Sequence, residues 1–65
     1  MDAKKVAQKL TELRGERSIK DVAAANGISI SALSMYEAGK RIPRDEIKVK
    51  LAKFYGTSVE NIFFR

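Results

Sequence analysis

Apolar residues recur along this 65-residue chain at intervals of three and four, the spacing that is typical of amphipathic helices. The first such stretch predicts a helix over Ala3–Arg14, with Asp2 as its N-cap and Gly15 as its stop signal. Alternation of apolar and polar positions, which is typical of half-buried strands, is nearly absent. The pattern therefore predicts an all-α fold.

Two further helices are predicted in the middle of the chain. Residues 18–21 resemble a capping box, in which a serine hydroxyl and a carboxylate satisfy the free amides of a helix start. The helix that follows ends at Asn26 and Gly27, a pair suited to left-handed backbone. Ser29 then caps the third helix, and Gly39 ends it.

The last part of the chain predicts two more helices. Pro43 precedes helix four, whose first turn holds Asp45 and Glu46 where the helix dipole favours negative charge. Gly56 closes this helix, and residues 57–60 form a second capping-box pattern before a short helix five. With no repeat or linker in the chain, we expect residues 1–65 to form a single domain, a compact bundle of five helices.

Residues 19–38 meet the physical requirements of a helix-turn-helix. Two helices that cross steeply need a very small residue at their contact, and Ala23 fits that position. Gly27 suits the left-handed turn, while Leu33 and Tyr36 can anchor the second helix to the core. The outer face of that helix is then free to enter a DNA major groove.

The ordered series of residues between 13 and 63 resembles one family. The residues that carry the resemblance are Leu13, Arg14, Ser18, Val22, Ala23, Gly27, Ile28, Ser29, Ser34, Glu37, Gly39, Lys40, Arg41 and Pro43, with residues 51–53, Gly56 and residues 58–63. This series resembles the phage-repressor and Cro-like (XRE-like) helix-turn-helix regulators. The resemblance implies a lambda-repressor-like domain of five helices that binds double-stranded DNA, usually as a two-fold dimer, and regulates transcription, with repression as the expected direction.

Three features depart from the family pattern. Ile19 stands at the start of helix two, where many members have a glutamine that bonds a DNA phosphate. Asn26 stands where a core leucine is usual, which affects the expected local packing. The connection formed by residues 15–17 is shorter than usual.

The third helix carries the predicted base-reading residues. Alignment with the family places four uncharged side chains against the bases: Ile30, Ser31, Ser34 and Met35. Serine can hydrogen-bond several base edges, whereas isoleucine and methionine can only touch apolar groups such as the thymine methyl. We therefore expect modest discrimination per position and half-sites that contain A·T pairs. The alternative is that Ile30 and Met35 are buried against another protein or a neighbouring helix.

Residues around this helix are predicted to contact phosphates. They are Ser18, Lys20, Ser29, Lys40, Arg41 and Arg44. Together they flank a neutral reading face, which suits contacts that position a protein on DNA while the bases specify the site. The alternative is a solvated surface that only confers solubility, and we favour that reading for Lys4, Lys5 and Lys9.

Arg14 and Glu37 are predicted to have a structural role. In the family, an arginine near the end of helix one pairs with the glutamate of helix three behind the DNA-facing side. A buried charge must be paired, because removing one partner leaves the other uncompensated. The resemblance therefore implies an Arg14–Glu37 ion pair.

Composition narrows the function further. The net charge of +5 favours an anionic partner, and nucleic acid comes first. The chain has no Cys and no His, which removes disulfides, thiolate zinc sites and the commonest general base. We expect no enzyme activity, no cofactor, no metal site and no small-molecule ligand. No membrane segment or signal peptide is evident, so we expect a cytoplasmic protein.

One helical reading head covers only part of a useful operator, so the resemblance implies a homodimer. Helices four and five are the expected two-fold contact. Ile62 and Phe63 are assigned to the core and Phe64 to the interface. A second functional class stays open, a protein-interaction or antitoxin-type module of the same fold.

Overall fold

Five helices make up the computed structural model, which describes residues 1–64. They are α1 (Ala3–Arg14), α2 (Ile19–Ala25), α3 (Ile30–Glu37), α4 (Asp45–Phe54) and α5 (Val59–Phe63). The predicted all-α class is confirmed, and no strand occurs within residues 1–64. The assignment of the whole chain to one domain stays a prediction, and Arg65 lies outside the described residues.

Serine caps fix the starts of three helices. The Oγ atom of Ser18 accepts a hydrogen bond from the amide of Asp21 at 3.0 Å, and the Oγ atom of Ser29 accepts one from Ala32 at 2.9 Å. Ser58 does the same for α5. Each cap satisfies an amide that has no partner inside its own helix.

The capping pattern predicted for residues 57–60 is wrong by one position, since the N-cap of α5 is Ser58 and not Thr57. Thr57 forms two other hydrogen bonds. Its amide donates to the carbonyl of Ala52 at 2.9 Å, and its Oγ1 atom accepts from the side-chain amide of Asn61 at 2.8 Å. The first bond ties Thr57 to the end of α4 and the second joins its side chain to α5, and the N-cap position is taken by Ser58.

The core is one cluster of apolar side chains to which all five helices contribute. Its largest fully buried members are Phe63, Leu10, Leu33, Leu51, Val6 and Val22. Helix α3 packs against α1 and α2, while α5 packs against α1 and α4. Ile62 and Phe63 lie in the core as expected, and Phe64 is 58% exposed.

Asn26 is buried although its amide is polar. Its Nδ2 atom donates to the carbonyl of Val22 at 2.8 Å. That bond gives the buried side-chain amide a partner at the carboxyl end of α2. Asparagine can therefore be buried at a position where the family pattern has leucine.

Arg17 secures the short connection between α1 and α2. Its guanidinium carbon lies 5.2 Å from the ring centroids of both Phe54 and Tyr55, within the range of a cation–π interaction. Its Nη2 atom also donates to the carbonyl of Leu13 at 2.9 Å. The connection is therefore held against the end of α4.

Lys48 is the unexpected member of the interior. Its side chain is almost fully buried, and its Nζ atom lies 3.4 Å from Asp45 Oδ1. The same atom lies 5.8 Å from the ring centroid of Phe63 and 5.3 Å from that of Phe64. The aromatic rings of the α5 segment thus cover this ammonium group on α4.

Candidate nucleic-acid interface

In the turn between α2 and α3, Gly27 adopts the left-handed backbone that the sequence predicts, whereas Asn26 does not, since its φ is −102°. Ala23 is buried, and its carbonyl accepts a hydrogen bond from the amide of Ile28 at 3.0 Å. Gly27 has φ +65°, a left-handed conformation that favours glycine. The chain therefore turns within a few residues, and α3 packs against α2.

Helix α3 has one buried face and one exposed face. Leu33 and Tyr36 are buried in the core, which fixes the rotation of the helix about its axis. Ile30 is 47% exposed and Met35 is 38% exposed. The two predicted serines of the reading face, Ser31 and Ser34, are exposed as well. All four predicted base-reading residues thus reach the solvent.

The ion pair between Arg14 and Glu37 lies behind this face. The Nε atom of Arg14 is 3.0 Å from Oε1 and 2.9 Å from Oε2 of Glu37, and the two side chains are 22% and 8% exposed. The hydrogen bond to Glu37 raises the pKa of the Arg14 guanidinium. Because Glu37 is the single charged residue of α3, pairing it inside leaves the exposed face of the helix neutral.

The predicted phosphate-contacting cations are all exposed: Lys20, Lys40, Arg41 and Arg44. Arg44 occupies the N-cap position of α4. Its Nη1 atom is 3.6 Å from Oε1 of Glu46, and both side chains are about 70% exposed, so water screens this pair strongly. Glu46, which the sequence assigns only to the helix dipole, thus also lies beside a predicted phosphate contact.

A hollow of about 330 Å³ brings several of these residues together. Ser29, Arg41 and Arg44 line it, with Tyr36 and Glu46. Ser18 and Lys20 lie apart from it, at the start of α2. Lys40 is not among the residues that line the hollow either, so the structure gathers three of the six predicted phosphate contacts in one place.

The hydroxyl groups of Ser18 and Ser29 retain a hydrogen-bond donor. In each cap the oxygen accepts a backbone amide, which uses one lone pair and leaves the O–H free. A phosphate oxygen can only accept, so it is a suitable partner for that O–H. Both serines can therefore cap a helix and contact DNA at the same time.

Other kinds of site receive no support from the described residues. Among residues 1–64, no helix is long and apolar enough to cross a membrane. In the same part of the chain, no group of three side chains from His, Cys, Asp and Glu is arranged to hold a metal ion.

Two relatives and one family model match this chain. It is 36% identical over 58 residues to the cryptic phage CTXphi transcriptional repressor RstR of Vibrio cholerae. The aligned segment covers 86% of this chain and 52% of that relative. It is also 40% identical over 60 residues to the HTH-type transcriptional regulator DdrOP3 of Deinococcus deserti. Here the aligned segment covers 89% of this chain and 46% of the relative. The chain therefore spans about half the length of these curated relatives.

No solved structure matches the chain at a significant level. The family model of helix-turn-helix domains matches residues 10–62, a range that includes α2, the turn, α3 and α4. This match confirms the resemblance inferred from the ordered residues of the sequence. The chain belongs to the helix-turn-helix family, and both of these relatives are named as transcriptional regulators or repressors.

Proposed function

We propose that this chain binds double-stranded DNA sequence-specifically and represses transcription, with α3 lying in the major groove. The one observation that carries the proposal is the neutral exposed face of α3, together with exposed cations on the adjoining segments: Lys20 on α2, and Lys40, Arg41 and Arg44 between α3 and α4. Short, uncharged side chains let α3 approach the base edges closely, while cations beside the helix are available for the phosphates. Repression is proposed because one of the two relatives is named a repressor.

The chemistry of the reading face favours A·T pairs. Ser31 and Ser34 can each donate or accept one hydrogen bond at a base edge, whereas Ile30 and Met35 can pack against thymine methyl groups. None of the four makes the bidentate contact that arginine makes with guanine. Discrimination per position is therefore modest, and the shape of the DNA contributes to specificity.

Selection from a random duplex library at moderate salt tests this proposal. We expect a two-fold symmetric motif with A·T pairs in half-sites about 34 Å apart, one helical turn from centre to centre. Repeating the selection with Met35→Gln is expected to change the preferred bases, because glutamine adds a donor and an acceptor to the same surface. An identical motif from both proteins would show that the reading face is misplaced.

The contribution of the cations is tested with matched double variants. Lys40→Ala/Arg41→Ala is expected to weaken binding to all duplexes alike and to reduce the slope of log K against log salt by about 1.8, since each lost phosphate contact removes about 0.9. Lys4→Ala/Lys5→Ala makes the same charge change on α1 and serves as the control. Equal losses from the two variants would contradict specific phosphate contacts.

The proposed partner of the chain on DNA is a second copy, bound through α4 and α5. Phe64 and Val49 are exposed apolar residues of this region. Phe64→Ser/Val49→Ser is expected to shift sedimentation equilibrium toward the monomer and to remove cooperative binding to two half-sites. An unchanged dimer would place the interface elsewhere.

A specific observation also favours the alternative, a protein-interaction or antitoxin-type module, because Ile30 and Met35 expose apolar surface on α3. Failure of the chain to bind any duplex in dilute buffer would favour that alternative. In either role we propose a cytoplasmic protein that acts without catalysis or a cofactor. The absence of Cys and His from the sequence supports this part of the proposal.

A further inference from the structure

A second surface lies between the carboxyl-terminal ends of α2 and α4. The two helices are not among the pairs that pack closely, and a groove of about 630 Å³ separates them. Ala24, Ala25 and Phe54 provide its apolar surface, while Lys50 and Lys53 line the α4 side. The groove therefore combines an apolar floor with a basic rim.

The rim carries two positive charges, those of Lys50 and Lys53. Lys50 and Lys53 are three residues apart on α4, so their side chains lie on the same side of the helix. Neither forms an ion pair within residues 1–64, and none of the residues lining the groove is acidic. The Nζ atom of Lys50 lies 3.8 Å from the position that a Cβ on Gly27 would occupy, which places this ammonium over the turn.

The groove is remote from two of the predicted phosphate contacts. Ser18 and Arg44 are the N-cap residues of α2 and α4, whereas the groove lies at the opposite ends of the same helices. At a rise of about 1.5 Å per residue, Lys50 and Lys53 lie roughly 9 and 14 Å along α4 from Arg44. A ligand in the groove can therefore be held while those N-termini face DNA.

We propose that this groove is a docking site for an acidic, amphipathic peptide segment of a partner protein. Carboxylates of the segment pair with Lys50 and Lys53, and one apolar side chain rests on Ala24, Ala25 and Phe54. Charge complementarity selects this occupant, because a neutral segment leaves two ammonium groups partly desolvated without a counter-charge. That the segment binds while the protein is on DNA rests on the proposed function, whereas peptide binding itself does not.

The test selects peptides from a random dodecapeptide display library on the full chain and measures the enriched peptides by fluorescence anisotropy. We expect enriched peptides with acidic residues flanking an apolar one. Lys50→Gln/Lys53→Gln should weaken them about three- to ten-fold, because surface ion pairs are individually modest. Ala25→Gln, which fills the floor without changing the charge, should weaken them as well.

Lys4→Gln/Lys5→Gln is the matched control, because it removes the same charge from exposed positions on α1. Circular dichroism verifies that each variant remains helical. Equal weakening by both double variants would indicate diffuse attraction and overturn the proposal, as would enrichment of peptides that do not depend on Lys50 and Lys53. Self-association of the chain that disappears in Lys50→Gln/Lys53→Gln would assign the groove to a second copy instead.

A DNA arm separates this inference from the proposed function. The duplex recovered by selection is added at saturation, and the peptide is expected to stay bound. Displacement of the peptide, together with a lower salt slope for DNA binding in Lys50→Gln/Lys53→Gln, would make these lysines phosphate contacts and refute the docking site. Failure to recover any duplex leaves the peptide measurements valid.

Discussion

Replacing Glu37 by alanine tests whether the charge of α3 serves the fold or the DNA contact. The carboxylate takes both of its short contacts from Arg14 Nε, and its side chain is 8% exposed. Glu37→Ala would leave the guanidinium without its partner. We therefore expect a large loss of stability and no change in base preference at temperatures where the variant is folded.

The size of the loss follows from the exposure of the two partners. Breaking a fully buried ion pair by removing one partner costs about 3–5 kcal/mol. Arg14 is 22% exposed, so water can take over part of its solvation, and we expect about 2–3 kcal/mol for Glu37→Ala. For a domain of this size that corresponds to a fall in Tm of about 10–20 °C.

Urea denaturation followed by circular dichroism measures this free energy of unfolding, with Glu12→Ala, an exposed glutamate of α1, as the control. In the double variant Arg14→Ala/Glu37→Ala the loss should be smaller than the sum of the two single losses, because the charges are removed together. A change within about 0.5 kcal/mol for Glu37→Ala, the range of ordinary surface substitutions, would refute the structural role. So would a fully stable variant that has lost DNA binding.

Two further predictions concern burial and backbone geometry. Burial, followed by the negative charge of Glu37, raises the pKa of the Tyr55 hydroxyl from its usual 10.0, so the unfolded chain loses this proton first as the pH rises. This contribution to stability is complete below about pH 10 and is lost as the pH rises through the folded pKa. Tyr55→Phe should remove that contribution, which urea titrations at several pH values would measure. The same loss of unfolding free energy with pH in the variant and in the parent chain would contradict the prediction. Gly39 has φ +73°, and a Cβ there would lie 3.4 Å from the Ala3 carbonyl oxygen. Gly39→Ala should therefore lower the free energy of unfolding by about 1–2 kcal/mol. The loss should exceed that of Gly56→Ala, where a Cβ meets nothing within 4 Å. Equal losses from the two variants would show that the contact with Ala3 is unimportant.

Local signals predict most of the helix boundaries. The bounds of α1 agree with the prediction because Asp2 accepts amide hydrogen bonds at its start and Gly15 adopts a positive φ at its end. The N-cap predicted at Thr57 is wrong, because Thr57 bonds back to the end of α4 and Ser58 caps α5. That bond depends on how α4 closes, which a capping pattern read along the sequence does not contain.

Features that depend on contacts between distant segments were not predictable in the same way. The pattern of apolar residues gives no reason to bury Lys48, because its burial requires the rings of Phe63 and Phe64 to cover its ammonium group. The role of Arg17 likewise depends on where α4 ends. The exposed face of α3, by contrast, follows from helical spacing once Leu33 and Tyr36 are assigned to the core.

The proposed phosphate contacts of Ser18 and Ser29 would make one hydroxyl serve both helix capping and DNA recognition, and aspartate at these positions separates the two. Aspartate is as good an N-cap as serine, but it has no proton to donate and its charge repels phosphate. Ser18→Asp and Ser29→Asp should therefore leave the abundance of the protein in cells unchanged. The same variants should reduce the occupancy of the operator. Alanine at the same positions should reduce both the abundance and the occupancy.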